Sequence, residues 1–305
     1  MIEILAARSD EEARTYLETQ KRIFPSSGAS LDEFRHRERT WGAYHALAFL
    51  DGDPAGTGFV GVFPGTADDP DVGSGLGVVP ELRGRGVGTA LYRAVSNDAR
   101  RRGKEALTLE VMADDPHSLA WLLRRGFQEV ERQEALVLEL GELDPSPVEL
   151  PSGVEIVTRA QRPDLVRQMY EVGLEAARDI PGLDGEHEPT FEEWAAFELE
   201  RPSRDPELSF LALAGGRVVG FASLDVFPNG NTFHGLTAVA RDCRHRGIAT
   251  ALKRAQIAAA KERGLERLRT ESQHENEPMR RLNEKLGFRP DPSWSTIVLR
   301  GPLAE

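Results

Sequence analysis

The spacing of apolar and polar residues switches between a strand period and a helix period, and the whole series of switches occurs twice. Residues 2–7 read as a strand. DEEARTYLETQKRIF (residues 10–24) and LDEFRHRERTW (31–41) read as helices. HALAFLDGD is a strand running into a Gly-Asp turn, and GTGFVGVF and GSGLGVV follow as strands. In residues 86–103, Val87, Leu91, Ala94 and Val95 fall on one helical face, and Gly103 stops the helix. EALTLEVM alternates as a strand, PHSLAWLLRRG is a helix with proline in its first turn, and ALVLEL closes the series. GVEIVTR, helices through Leu199, LSFLALAGGRVVGFASLDVF, FHGLTAV, a helix from Gly247 to Arg263, LERLRTES, a helix around MRRLNEKLG, and TIVLR then repeat the order. Alternating strands and helices predict an α/β fold.

Fixed residues confirm a duplication. RGRGVGTAL starts at Arg83 and RHRGIATAL at Arg244, an offset of 244 − 83 = 161. Gly126-Phe127 and Gly287-Phe288 keep that offset, whereas IEIL at Ile2 faces VEIV at Val154, an offset of 152. A period this long means two copies of a domain rather than a solenoid. The 305 residues suit two domains, expected at 1–141 and 154–305. The proline-bearing stretch 142–153 is the expected linker.

Each repeated turn has the makings of an anion site. Glycines let backbone approach a phosphate, and the first N–H groups of the following helix lack intrahelical partners. Those amides and the helix dipole favour a pyrophosphate. The candidate ligands are Arg83, Gly84, Arg85, Gly86, Val87, Gly88 and Thr89 in the first copy. In the second they are Arg244, His245, Arg246, Gly247, Ile248, Ala249 and Thr250. A plain glycine turn before a helix has the same local signature. No Walker loop or full dinucleotide fingerprint is present.

The strand, the R-x-x-G-x-G/A turn, the long helix and the Gly-Phe about 40 residues on resemble the GNAT superfamily of N-acetyltransferases, in both copies. The two-copy layout is similar to that of mycothiol synthases. The resemblance implies two tandem domains, each a mixed, mostly antiparallel sheet flanked by helices, with splayed fourth and fifth strands. It implies acetyl-CoA as cosubstrate, with pantetheine between residues 76–79 and 107–111 and between 236–239 and 268–272. Val78, Val79, Ala238 and Val239 would line that gap, and the amide of Val78 or Val239 would polarise the thioester carbonyl. An amine would attack directly, with its proton taken by a base or a water chain.

Many members of that family carry a tyrosine acid four residues before the Gly-Phe glycine. Here Leu122 and Asn283 stand there, so the chain departs from the pattern in both halves, and water is the alternative donor. In the second copy Asn276, at the pantetheine position, is a ligand or a helix N-cap, and Asp115 is its counterpart. His234 and Glu271 are candidate bases, with structural roles as their alternatives, and Glu110 is the counterpart of Glu271. Strand four of the first copy has no titratable side chain, so the second copy is the expected catalytic half. Cys243 is expected to be incidental, and Trp41, Trp121, Trp194 and Trp294 to be packing residues.

Composition narrows the partners. The net charge of -12 argues against non-specific nucleic-acid binding. One cysteine excludes an internal disulfide. With no signal-peptide pattern and no long apolar run, a cytoplasmic monomer or homodimer without membrane contact is expected. No metal site is expected. Residues 171–207 hold 12 Asp and Glu against 3 Arg, which is either a solvated surface or a funnel for a cationic amine. Three readings follow: an N-acetyltransferase of small cationic amines, a mycothiol-synthase-like acetyltransferase, or an acyl-CoA-binding sensor without turnover.

Overall fold

The computed structural model describes residues 1–141, 143, 149–179, 188–273 and 276–305. One compact unit comprises Met1–Arg132 and Thr296–Glu305, the other Gln133–Ser295. The chain runs β1 (Ile2–Ala6), α1 (Asp10–Ile23), α2 (Leu31–Trp41), β2 (Tyr44–Leu50), β3 (Asp53–Gly61), β4 (Asp71–Val78), α3 (Val87–Arg101), β5 (Ala106–Met112), α4 (Pro116–Leu123) and β6 (Gln128–Glu139). It continues with β7 (Val154–Thr158), α5 (Val166–Ala177), α6 (Phe191–Glu198), β8 (Phe210–Ala214), β9 (Arg217–Val226), β10 (Thr232–Val239), α7 (Ile248–Glu262), β11 (Arg267–Gln273), α8 (Glu277–Lys285), the two-residue β12 (Arg289–Pro290) and β13 (Thr296–Pro302). β12 is too short for its pattern to be read from sequence.

The units are not cut where the sequence pattern places the joint. In the first unit the strand order is β1-β2-β3-β4-β5-β13, so the chain's last strand pairs antiparallel with β5, Thr296 opposite Met112 through Pro302 opposite Ala106. The Tyr92 hydroxyl donates to Pro302 O at 2.6 Å, and Ala304 N donates to Ser96 Oγ at 2.9 Å. The end of β6 belongs instead to the second unit, where Gln133–Glu139 pairs with β11. Leu136, Leu138 and Leu140 pack there with Leu208, Leu224, Ile257 and Phe288. Each such leucine stabilises that core by about 2 kcal/mol.

Strands β1 to β4 and, in the second unit, β7 to β10 are antiparallel meanders. The parallel β4–β5 pairing runs only from Asp71 opposite Ala106 to Ser74 opposite Leu109, and both strands continue beyond it unpaired with each other. That divergence opens a cleft.

β10 differs from β4 in one respect. His234 faces Leu224 and Thr237 faces Ala222, so Gly235 and Leu236 both stand opposite Ser223 as a β-bulge. Behind the bulge lies a buried ion cluster. Arg204 donates through Nε to Asp225 at 2.8 Å and pairs through Nη1 with Glu198, and Arg201 approaches Asp225 at 3.4 Å. A Cβ on Gly235 would lie 2.9 Å from Arg204 Nη1, so any larger residue there must displace the paired guanidinium. Removing one partner of a buried pair strands the other charges. Arg204→Met is therefore expected to lower stability by about 3–5 kcal/mol in urea unfolding. A loss within 0.5 kcal/mol would show that the cluster contributes nothing.

Candidate active site

Most helix starts here are closed by their own side chains. Ser9, Ser30 and Thr190 cap α1, α2 and α6, each followed by acidic residues in the first turn. The starts of α3 and α7 have neither device: their N-caps are Gly86 (φ 91°) and Gly247 (φ 82°), with no capping side chain and no first-turn acid. Left-handed backbone recurs two residues earlier, at Gly84 (φ 76°) and His245 (φ 60°). A Cβ on Gly84 would meet no atom within 4 Å, one on Gly86 only the tip of the Ile2 side chain at 3.3 Å, and one on Gly247 only Pro151 at 3.9 Å. The space in front of both helix starts is thus open, and the backbone fits a diphosphate.

Each start opens into its cleft. The first has a volume of about 590 Å³ and is lined by Val78, Arg83, Gly84, Gly86, Val87, Gly88 and Thr89, with Glu110, Trp121 and Leu122 across from them. The second, about 900 Å³, is lined by Ala238, Val239, Arg244, His245, Gly247, Ile248, Ala249 and Thr250, with Lys253, Glu271 and Asn276. The loop arginines brace the strand ends: Arg83 Nε lies 3.4 Å from Val78 O, and Arg244 Nε donates to Val239 O at 3.0 Å. Arg83 also pairs with Asp115 at 3.6 Å and Arg244 with Asp179 at 2.7 Å.

Several expected residues stand elsewhere. Val79 is fully buried, and its N–H donates to Ala55 O, so it faces the core. Arg85 bonds Asp51 at 3.2 Å, and neither it nor Arg246 is among the cleft-lining residues. Asn276 caps α8, accepting from Met279 N at 3.4 Å, and also lines the second cleft. Asp115 caps α4 in the same way.

His234 and Asn283 are the two clear departures. Neither is among the residues lining the second cleft. The His234 ring packs edge-on to Phe288 at 5.7 Å and is 2% exposed. Burial, then the charge of Lys253, holds it neutral far below its ordinary range. A ring that cannot be protonated and does not reach the cleft makes a poor base. Asn283 is fully buried, and its amide atoms have no protein partner. Of the four catalytic candidates, Val239 and Glu271 reach the cleft.

The sequence reading missed Lys253. It lines the second cleft although it is 1% exposed, and its Nζ lies 5.3 Å from the centre of the Phe288 ring. Burial pulls its ammonium down to about 7. The first-copy equivalent, 253 − 161 = 92, is Tyr92, whose hydroxyl is committed to Pro302. Glu110 occupies the first cleft at the first position past the last β4–β5 pair. Its side chain is exposed to the cleft, where desolvation by the surrounding walls pushes the carboxyl up, and Glu131 adds to the shift.

Four acids of the stretch 171–207 in the second unit, Asp179, Glu188, Glu198 and Asp205, are held in ion pairs. Asp179 is bound by Arg241 at 2.6 Å and by Arg244, which hold it well below the carboxylate range. Glu188 pairs with Arg178, Asp205 with Arg263, and Glu198 with Arg204. Glu193 closes the capping box of α6, and Glu192 is exposed. Asp184 and Glu186 lie outside the described residues. Cys243 is buried, and burial raises its thiol, so no thiolate forms there. Trp41 and Trp194 are core residues, and Trp294 stacks on Arg269. Trp121 packs against the first unit's core, edge-on to Tyr92 at 5.9 Å, and also lines the first cleft beneath the Arg125 guanidinium. Among the described residues no helix is long and apolar enough to cross a membrane, and no three His, Cys, Asp or Glu side chains converge on a metal site.

The acetyltransferase (GNAT) family model matches residues 9–127 and again 169–288. The chain is 25% identical to a mycothiol acetyltransferase of Pseudarthrobacter chlorophenolicus, over 99% of this chain and 91% of that one. It is 28% identical to a mycothiol acetyltransferase of Nocardiopsis dassonvillei, over 92% and 88%. In fold it is similar to a tandem GNAT protein from the clavulanic acid biosynthesis pathway, with a TM-score of 0.79 at 20% identity over 100% and 99% of the two chains. It is also similar to a GCN5-related N-acetyltransferase from Sphaerobacter thermophilus, with a TM-score of 0.73 at 22% identity over 99% and 96%. With both copies matched over their cradles and clefts, the chain belongs to the GNAT acetyltransferase family and carries two of its domains in tandem.

Proposed function

We propose that this acetyltransferase uses acetyl-CoA to acetylate the primary amine of a small, cationic acceptor by direct attack, and that this reaction runs in the second cleft. The observation that carries the reading is the convergence, in one cleft, of the α7 cradle, the bulged end of β10, the Glu271 carboxylate and a buried amine at Lys253. In this reading the backbone of residues 244–250 holds the coenzyme pyrophosphate, and Val239 N–H meets the thioester oxygen. Glu271, directly or through water, takes the ammonium proton of the acceptor. Nitrogen then bonds the acetyl carbon as the C–S bond breaks. Lys253 gives its proton to the leaving thiolate, in place of the missing tyrosine, and regains one from the second proton that the acylated nitrogen sheds. His234 and Asn283 take no part.

Release of CoA thiol from acetyl-CoA in the presence of a panel of amines tests the reading. With spermidine as the cationic probe, kcat/KM is expected to fall as salt rises, because attraction is screened over about 10 Å at 0.1 M. The slope should be shallow, since Asp179, Glu188, Glu198 and Asp205 are already paired, and Glu192→Gln should flatten it further. Rates indifferent to salt would remove the cationic preference.

A second reading is favoured by the near full-length likeness to the two mycothiol acetyltransferases. In it the acceptor is the unacetylated precursor of mycothiol. That compound belongs in the same panel, and a kcat/KM well above that of spermidine would select it. CoA binding without thiol release for any amine would leave a sensor.

A further inference from the structure

The first unit holds a chamber that the second-cleft reading does not use. It has a volume of about 160 Å³ and lies among α1, α2 and strands β2 to β5. Its wall is aromatic, with Tyr16, Phe34 and Phe59, and carries Arg37, His45 and Glu110. The chamber and the first coenzyme cleft share lining residues, among them Leu76, Gly77 and Glu110, so the two spaces meet there. Glu110 stands at the junction, at the first β5 position beyond the β4 ladder.

The far end of the chamber is equally specific. His45 is 3% exposed, stacks on Phe34 at 3.8 Å and meets Tyr16 edge-on at 5.1 Å. Its Nδ1 has no protein partner. Burial pulls the ring down to about 3, so it is a neutral hydrogen-bonding group. A buried polar nitrogen costs free energy until something bonds it. The wall has also kept space: a Cβ on Gly75 would meet no atom within 4 Å. In the second unit the corresponding region between α6 and β9 is occupied by the Glu198–Arg204–Asp225 cluster.

We propose that the first unit is a second acetyl-transfer site, whose acceptor is a compact arylalkylamine lying in this chamber with its amine at Glu110 and a polar ring substituent at His45. The proposal rests on acetyl-CoA occupying the first cleft. Glu110 takes one proton from the acceptor ammonium. The amine nitrogen bonds the acetyl carbon, the C–S bond breaks, and the second nitrogen proton ends on the thiolate. The products are the N-acetylamine, CoA thiol and one released proton. Aromatic walls select a flat apolar body, and the volume limits it to about one ring with a short amine arm.

The test uses the full chain carrying Gly247→Glu, which disables the second cleft. Tyramine and phenethylamine are the probes, with N-acetyl product measured by mass spectrometry and CoA binding by calorimetry. The expected result is acetylation of both, with tyramine several-fold better in kcat/KM. His45→Phe should erase that difference. Gly75→Leu, which fills the chamber, should cost at least tenfold in kcat/KM, and Glu110→Gln should lower kcat. If CoA does not bind the Gly247→Glu chain, the coenzyme reading of the first cleft fails. If CoA binds but neither probe is acetylated, or Gly75→Leu has no effect, the second-site proposal is overturned.

Discussion

Gly247→Glu is expected to abolish acetylation of the second-cleft acceptor and to reduce bound CoA from two equivalents per chain to one. Gly247 is the N-cap of α7, at φ 82°, and a Cβ added there meets only Pro151, in ordinary contact at 3.9 Å. The fold should survive, at a strain cost of about 1–2 kcal/mol for a left-handed residue with a Cβ. The carboxylate would occupy the space where the phosphates bind and repel them. Two unit charges about 4 Å apart near a protein surface repel by about 4 kcal/mol, nearly a thousandfold in affinity. Gly247→Ala carries the strain without the charge and should lose no more than about tenfold. Gly86→Glu should remove the other equivalent and leave most second-cleft turnover intact. Calorimetric titration with CoA and thiol-release rates on the four proteins decide the matter. A Gly247→Glu chain with normal turnover would place the chemistry in the first unit.

That experiment depends on what was legible in the sequence. The cradles were legible because they are local: a positive-φ glycine and an uncapped helix start need only a few consecutive residues, and the 161-residue offset marked both. The exchange of final strands was not. ALVLEL and TIVLR are equally apolar, and nothing in either says which sheet edge it joins. The bulge at Gly235–Leu236 was invisible to alternation, because one extra residue changes which face follows which. His234 therefore looked like a cleft residue and is a core one. The acidic tally of residues 171–207 overstated the field for a related reason. Arg241, Arg244 and Arg263, which neutralise Asp179 and Asp205, lie outside the stretch that was counted. The chamber around His45 draws on α1, α2 and four strands, and no single window of sequence contains it.

Lys253 was hidden most completely, since TALKRAQIAAAK reads as an ordinary amphipathic helix, and its replacement carries the second large prediction. Lys253→Met should slow acetyl transfer on the order of a hundredfold, the low end of what a positioned proton donor contributes, and should at the same time stabilise the protein. The sign of the second effect follows from linkage. The amine titrates near 7 in the folded chain against 10.5 for an ordinary lysine, so between those values the unfolded state binds the extra proton. Stability therefore rises with pH across that window, and the cost of burying the amine is fully present below 7. Methionine removes that cost, so Tm should rise at pH 6 and the gain should fade toward pH 10. Activity has the opposite dependence, because only the ammonium can donate: kcat should fall as pH rises above about 7, and Lys253→Met should lack that limb. The charged and titratable groups that line the cleft together with the amine are Asp179, Arg244, His245, Glu271 of β11, and Arg281 and Lys285 of α8, and His234 of β10, held neutral, feels its charge. Of these, Glu271, His245 and Lys285 can carry a donatable proton, and Glu271→Gln, His245→Asn and Lys285→Met, each in the Lys253→Met background, test those routes. Lys253→Arg separates charge from proton transfer, since a guanidinium keeps the charge but does not give up its proton. If arginine restores kcat, Lys253 acts by charge alone. If methionine leaves kcat and the pH limb unchanged, water protonates the thiolate and the buried amine has no part in the reaction.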